Sequence, residues 1–433
     1  MNQPSKLQWI LNDLYRRRSP DNIKLTLDRI KQLLTKLGSP EKNIEKNSII
    51  FLGSNAKYST LKWTQAILEG QGLTTNAFIS PHVTNVTERI EFSGKQITEE
   101  EFIHYLALVE KHADEDVTFF EMLCAMAFVG FSEKKADINL IEVGLGYIFD
   151  ATRTIENPFI TVVCPISLEH KSFLGPELQD VVRNKVSDIS KKTNIIISKQ
   201  EPTTLKYIDE YLAKNPSKKF YLSEEFNIHL EDNKIIFQDN DCLLDIDQPK
   251  YFPKFQLPNL ACSIQASKLI SRIALDAKKI SSSIFTVTMP ARFQKIDDPK
   301  LLEYVNVETV LYACGSHNPQ SAIATREALE ELNTKKPVFI VFAMNKSKDL
   351  KEYLKQFASI ATELLAVQLR DGFYSTEEII QACDELGIKA RPAAKNNAIS
   401  PIMQLSIACP DSLILVCGSF ELCGSLLQLG TKQ

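Results

Sequence analysis

The sequence predicts an α/β protein with a larger parallel-sheet domain of P-loop-like pattern, followed by a smaller Rossmann-like α/β domain. Three observations predict it. Short apolar runs of strand length alternate with helical patterns, those runs end in glycine-rich or polar loops, and the alternation restarts near residue 285. A chain of 433 residues is too long for one ordinary core, so the expected domains are 1–285 and 286–433.

Taken in order, residues 21–37 carry apolar residues at helical spacing and stop at Gly38-Ser39-Pro40. Ser48 to Leu52 reads as a buried strand running into Gly53-Ser54-Asn55-Ala56-Lys57-Tyr58-Ser59-Thr60, and Leu61 to Leu68 is helical in pattern. A strand, a loop with a lysine and then a helix place anions on a helix N-terminus. Ala136 to Val143 is a second buried strand ending in Gly144-Leu145-Gly146, and Phe159 to Ile166 is a third, followed by Ser167 to Lys171. In the second half, Ser283 to Thr288 reads as a strand. Glu308 to Ala313 follows and opens onto Cys314-Gly315-Ser316-His317-Asn318-Pro319, with Pro337 to Ala343 and Ser412 to Cys417 as later strands. Alternation of this kind argues for parallel sheets, whose ligands gather at the carboxyl ends of strands.

Composition excludes several classes. Hydrophobic residues at 44% and charged residues at 24% are the balance of a soluble globular protein, and a formal net charge of -4 gives no electrostatic reason for a nucleic-acid partner. Arg16-Arg17-Arg18 is a local basic cluster of the kind a solvated helix face carries. Nine cysteines without a CxxC pair fit a reducing compartment. No apolar run reaches the roughly 18 residues of a membrane helix, and no signal-peptide pattern opens the chain, so a cytoplasmic location is expected.

The chemistry-bearing residues sit at strand ends. Binding a triphosphate needs backbone N–H groups, a lysine to offset charge and a hydroxyl to hold magnesium. Lys57 and Ser59 supply the last two, with Thr60 as substitute; a plain strand–helix turn with a capping serine gives the same pattern. Glu142 ends a buried strand, where a carboxylate is costly unless paired or metal-bound; a glutamate with its head in water is the alternative. Glu169 and His170 follow the third strand, and His82, His170 and His317 each come just after a strand.

The order of these segments resembles folylpolyglutamate synthase and the bifunctional dihydrofolate synthase, within the Mur ligase superfamily. The resemblance runs over Leu25 to Leu37, the loop at 53–60, Ile79-Ser80-Pro81-His82, Glu88-Arg89-Ile90, Phe119-Phe120-Glu121, Glu142 to Thr152, His170 to Gly175, Met289 to Gln294, Ser316 to Pro319 and Val416 to Gly424. It implies a central ATP-binding domain and a C-terminal Mur-ligase-like domain. It also implies an ATP-dependent ligase that joins L-glutamate to a folate or dihydropteroate carboxylate through an acyl phosphate, with ATP and Mg2+ required. Gly53, Asn55, Lys57, Ser59, Thr60, Gln265, Arg292, Cys314 and His317 would meet the nucleotide. Ser59, Glu142, His170 and Lys185 would organise the metal, Lys185 aligning with a lysine the family carbamylates. Lys57, His170 and Lys185 would serve catalysis, and Ser80, His82 and Arg89 would face the folate. A monomer is the family expectation.

The chain also departs from the pattern. The family loop GTNGKGS reads GSNAKYS here, DGAHNP reads CGSHNP, Glu169 stands for aspartate, Gln265 for asparagine, and Tyr147-Ile148 for Gly-Arg. These changes cluster on the ATP side and open a second reading, a family member that binds folate or a protein partner without turnover. A ligase acting on another carboxylate is a third.

Overall fold

The computed structural model describes residues 6–18, 25–270, 274–393 and 397–431. Two compact units divide the chain. The first holds residues up to Val287, and the second runs from Thr288 together with Val83–Asn85 and Pro253–Phe255.

The first unit is built on eight strands. β1 (Ser48–Leu52), β2 (Thr75–Phe78), β3 (Ile90–Phe92), β4 (Lys95–Gln96), β5 (Ile138–Glu142), β6 (Ile160–Val163), β7 (Asn194–Ile197) and β8 (Lys219–Tyr221) lie in the order β4-β3-β2-β5-β1-β6-β7-β8. Pairing is parallel from β2 to β8 and antiparallel at the β3 and β4 edge. β1 and β5 are buried along their whole length because helices cover both faces of a parallel sheet. The chain leaves β1 toward β2 on one side and later returns to place β6 on the other. The carboxyl end of β1 is therefore a topological switch point, where such sheets bind ligands. β9 (Phe226–Glu231), β10 (Lys234–Asp239) and β11 (Leu243–Asp247) form a separate antiparallel sheet.

The core of this unit gathers Ile50, Leu52, Phe78, Phe128, Ile141 and Val163. The helix Phe119–Glu133 crosses it, buried on every side from Glu121 to Phe131, and starts at a capping box in which Thr118 and Glu121 bond each other's backbone N–H.

The second unit has a six-stranded sheet. β12 (Arg292–Lys295), β13 (Val310–Cys314), β14 (Val338–Phe342), β15 (Ala361–Ala366), β16 (Ala390–Pro392) and β17 (Leu413–Cys417) lie in the order β12-β13-β17-β14-β15-β16, parallel except for β12. Leu311, Val341, Leu365, Ile414 and Val416 fill its core.

Two expectations are corrected. Ser283 to Thr288 is not a strand: Ala277–Thr286 is a helix capped by Asp276, with Ile280 and Ile284 buried one turn apart. The helix expected over 21–37 spans Asp28–Lys36, and residues 21–24 lie outside the described residues. Among the described residues, no helix is long and apolar enough to cross a membrane.

Candidate functional site

In the first unit the site grows from the end of β1. The N–H groups of Ser54 and Asn55 donate to the Pro165 carbonyl at 2.9 and 3.1 Å, tying the loop to the end of β6. At Gly53 a Cβ would come within 2.8 Å of the Cys164 Cβ and 2.9 Å of its carbonyl oxygen, so this position admits only glycine. Ala56 adopts the left-handed conformation, φ 65°, immediately before the helix Lys57–Gly70. That turn aims the first N–H groups of the helix at the space above the loop, where they have no intrahelical partner.

Positive charge converges there. Lys57 Nζ and Lys185 Nζ each donate to the Gly53 carbonyl at 3.0 Å. Lys185 also meets Glu169 Oε1 at 3.1 Å, and His170 Nε2 lies 3.8 Å from Glu169 Oε2. Burial pushes Glu169 up. The charges of Lys185, Lys57 and His170, with the Ser54 hydroxyl, outweigh it and hold the carboxyl well below the usual range. Burial also draws the Lys185 ammonium below the ordinary lysine value, opposed by Glu169 and reinforced by Lys57. Sequence reasoning saw Glu169 beside His170 but gave it no role; it is the carboxylate that joins His170 to Lys185.

Glu142, 3% exposed at the end of β5, accepts the Ser80 N–H through Oε2 at 2.9 Å. The Thr60 hydroxyl donates to the Ala56 carbonyl at 2.9 Å and accepts from the Cys164 thiol at 3.6 Å. Thr60 is thus turned into the helix, and Ser59 is the better placed hydroxyl of the pair. Burial raises the Cys164 thiol to about 12; Lys57, Glu142 and Lys185 all act on it electrostatically, so these three groups share one neighbourhood. Arg89 Nε donates to His82 Nδ1 at 2.9 Å, which fixes Nδ1 as the lone-pair nitrogen. Burial and the Arg89 charge bring His82 down to about 4. Arg89 lies 5.9 Å over the Phe119 ring, which packs 4.6 Å from Tyr15. Gln265 sits in the helix Leu257–Ile270, and its side-chain oxygen is buried with no hydrogen-bond partner among the described residues. That helix packs against the helix Lys57–Gly70, with the Ser263 hydroxyl donating to the Thr60 carbonyl at 2.8 Å.

Among the described residues, no group of three or more His, Cys, Asp or Glu is placed to hold a metal ion. The oxygen donors at hand, Ser59 and Glu142, fit a magnesium ion that takes its remaining ligands from phosphates and water, the ordinary habit of that ion. Lys185 is a donor in both its contacts. As an ammonium it has no lone pair for a metal, and the carbamylation implied by the resemblance would put oxygens at that point.

In the second unit, Arg292, Cys314 and His317 come together at the carboxyl ends of β13 and β17. Arg292 is the register partner of Cys314. Ala291 and Phe293, at φ 54° and 56°, flank it in left-handed backbone, an uncommon conformation for residues with a Cβ and one that collects at functional sites. The Cys314 thiol lies 3.4 Å from the Thr325 hydroxyl. The His317 Nδ1 lies 2.8 Å from the Gly315 carbonyl; a carbonyl only accepts, so Nδ1 carries the proton. Phe420, which sequence reasoning passed over, contacts both Arg292 and His317. It lies within Val416 to Gly424, a segment of the resemblance, just after Gly418-Ser419 at a strand end.

Comparison with known proteins bears on the fold and on what the chain resembles. Residues 292–420 match the family model "Mur ligase, glutamate ligase domain". The dihydrofolate synthase/folylpolyglutamate synthase of Bacillus subtilis is 27% identical over 356 residues, covering 78% of this chain and 80% of the relative. The folylpolyglutamate synthase of Lacticaseibacillus casei is 24% identical over 434 residues, covering 94% of this chain and 95% of the relative. Among solved structures, Escherichia coli FolC in complex with DHPP and ADP superposes with a TM-score of 0.85 at 23% identity, covering 99% of each chain. The Mycobacterium tuberculosis folylpolyglutamate synthase complexed with ADP has a TM-score of 0.85 at 20% identity, covering 99% of this chain and 98% of that one. At such identities the structures show a common fold. The chain is thus similar over most of its length to folylpolyglutamate and dihydrofolate synthases, and residues 292–420 match the glutamate ligase domain of the Mur ligases.

Proposed function

We propose that the protein is an ATP-dependent carboxylate–amine ligase that adds L-glutamate to a folate or dihydropteroate carboxylate through an acyl phosphate. The observation that carries this reading is the pair of ammonium groups, Lys57 and Lys185, held on the Gly53 carbonyl at the switch point of a parallel sheet. A carboxylate attacking a γ-phosphate brings two anions together, and cationic groups fixed in advance lower that barrier without reorganising at the moment of reaction. The curated relatives quoted above are synthases of this kind by name.

In this reading Lys57, Gly53, Asn55 and the first turn of the helix Lys57–Gly70 cradle the phosphates, with Gln265 supplying its unpartnered oxygen to the nucleotide. Ser59 and Glu142 would hold magnesium, with His170 beside them; the bound ion would neutralise charge on the phosphates. Glu169 keeps His170 and Lys185 in place. By the resemblance, Arg292, Cys314 and His317 would meet the nucleotide. Arg89, half-buried and cationic beside His82, faces the folate with Ser80, and Phe119 forms an aromatic wall. We further propose that the chain works as a cytoplasmic monomer with small-molecule substrates and neither nucleic acid nor membrane as partner, supported by its net charge of -4 and its nine cysteines, all free.

Purified protein with dihydropteroate or tetrahydrofolate, L-glutamate and magnesium ATP is expected to release phosphate only when both substrates are present. Lys57→Ala and Glu142→Ala are each expected to lower kcat by about a hundredfold or more, the usual cost of removing an electrostatic stabiliser. Phosphate release that ignores either substrate, or none at all, would overturn the reading.

A further inference from the structure

We propose that Phe420 is a positioning residue of the nucleotide site, an aromatic platform that orients both Arg292 and His317. The inference rests on the ligase reading for what those two residues do, and on the geometry for how they are held. Phe420 opens the helix Phe420–Thr431, directly after the Gly418-Ser419 turn at the end of β17. The guanidinium carbon of Arg292 lies 4.1 Å from its ring centroid, well inside the range of cation–π attraction. The His317 ring meets the same phenyl group edge-on, at 5.5 Å and 67°. A side chain on Gly315 would come within 2.1 Å of the Phe420 ring, so the ring is packed directly against the backbone of the β13 loop.

The need for a platform follows from the two side chains it serves. An arginine has four side-chain torsions and loses much rotamer freedom when fixed, so a guanidinium gains from a support that narrows the positions it samples. The backbone of Arg292 is set by the left-handed residues on either side, and the phenyl face supports its head, whose Nη1 also lies 3.5 Å from the Ala291 carbonyl. His317 is pinned at one nitrogen by the Gly315 carbonyl and at its ring plane by Phe420. One side chain thus couples two residues that approach it from different strands' ends.

The competing explanation is that Phe420 merely fills space, since it also packs against the core of the second unit. Leucine would serve that purpose, whereas only an aromatic ring can hold a cation on its face. Steady-state kinetics and calorimetric ATP binding on the full chain separate the two. Phe420→Leu is expected to raise the KM and Kd for ATP roughly three- to thirtyfold, and Phe420→Tyr to stay within about twofold of wild type. The KM for the folate substrate should move in neither variant. If the leucine protein does not fold, Phe420→Met takes its place with the same expectation. Equal ATP affinity in leucine and wild-type proteins, or equal losses in leucine and tyrosine, would overturn the platform. Wild-type protein that binds ATP, weakened by leucine alone, yet shows no turnover would instead sink the ligase reading and leave the platform standing. Wild-type protein that binds no ATP would overturn both.

Discussion

Ala56 carries a methyl group in a left-handed backbone at φ 65°, a conformation that costs an alanine about 1 kcal/mol relative to glycine. Its neighbours hold it there: the Asn55 N–H is bound to the Pro165 carbonyl, and the Thr60 N–H and hydroxyl both return to the Ala56 carbonyl. The loop therefore keeps a glycine's geometry without its glycine. Ala56→Gly is expected to raise stability by about 1 kcal/mol, less a few tenths for the freer unfolded chain, and to leave ATP binding unweakened. Urea denaturation reads the first and calorimetry the second; a less stable glycine variant would show that the conformation is unstrained. The demand at position 56 was legible through the resemblance alone, whose loop GTNGKGS has glycine where Ala56 stands. The part played by Phe420 was not, since it depends on residues 128 positions apart (292 and 420) meeting across a sheet, which leaves no periodic trace.

At the level of elements, β1, its loop and the following helix act as one unit whose tightest point is Gly53. An added Cβ there meets the main chain of Cys164, which cannot rotate away as a flexible side chain would. Gly53→Ala is accordingly expected to destabilise the protein by about 1 to 3 kcal/mol and to abolish turnover, opposite in sign to the glycine replacement three residues on. Equal stability of this variant and wild type in denaturant would mean that the β1 and β6 ends can separate at little cost. The element that sequence reasoning missed is equally physical. The stretch Ser-Ser-Ser-Ile-Phe-Thr-Val-Thr at 281–288 is rich in β-branched and hydroxyl side chains and reads as extended. In the fold, Asp276 accepts from the Lys278 and Lys279 N–H groups, and the hydroxyls of Ser281, Ser282 and Ser283 each donate to the carbonyl four residues back. A cap, internal hydroxyl bonds and two buried isoleucines override a weak propensity.

Across the whole molecule, two α/β units with separate cores could be read from apolar runs that end in glycine. Strand order could not. Glu142, Glu169 and Lys185 reach the neighbourhood of Gly53 because β5 and β6 flank β1, and nothing local in the chain fixes which strands are neighbours; only the resemblance pointed to it. The same convergence buries titratable groups, and His82 ties global stability to pH. Its imidazole faces the Arg89 guanidinium and the more distant Glu88 carboxylate, and titrates at about 4 when folded against 6.5 ordinarily. The unfolded chain therefore takes up the proton first as pH falls. His82's contribution is fully present above about 6.5 and is lost as the pH drops through the window down to about 4, amounting to roughly 1 to 3 kcal/mol in all. His82→Asn keeps an acceptor for Arg89 and removes the titration. Urea midpoints taken at neutral pH and near pH 4.5 should fall further in wild type than in this variant, the excess developing below about 6.5. Parallel declines in the two proteins would mean that His82 is protonated as easily in the fold as in the unfolded chain, and that Arg89 does not hold it neutral.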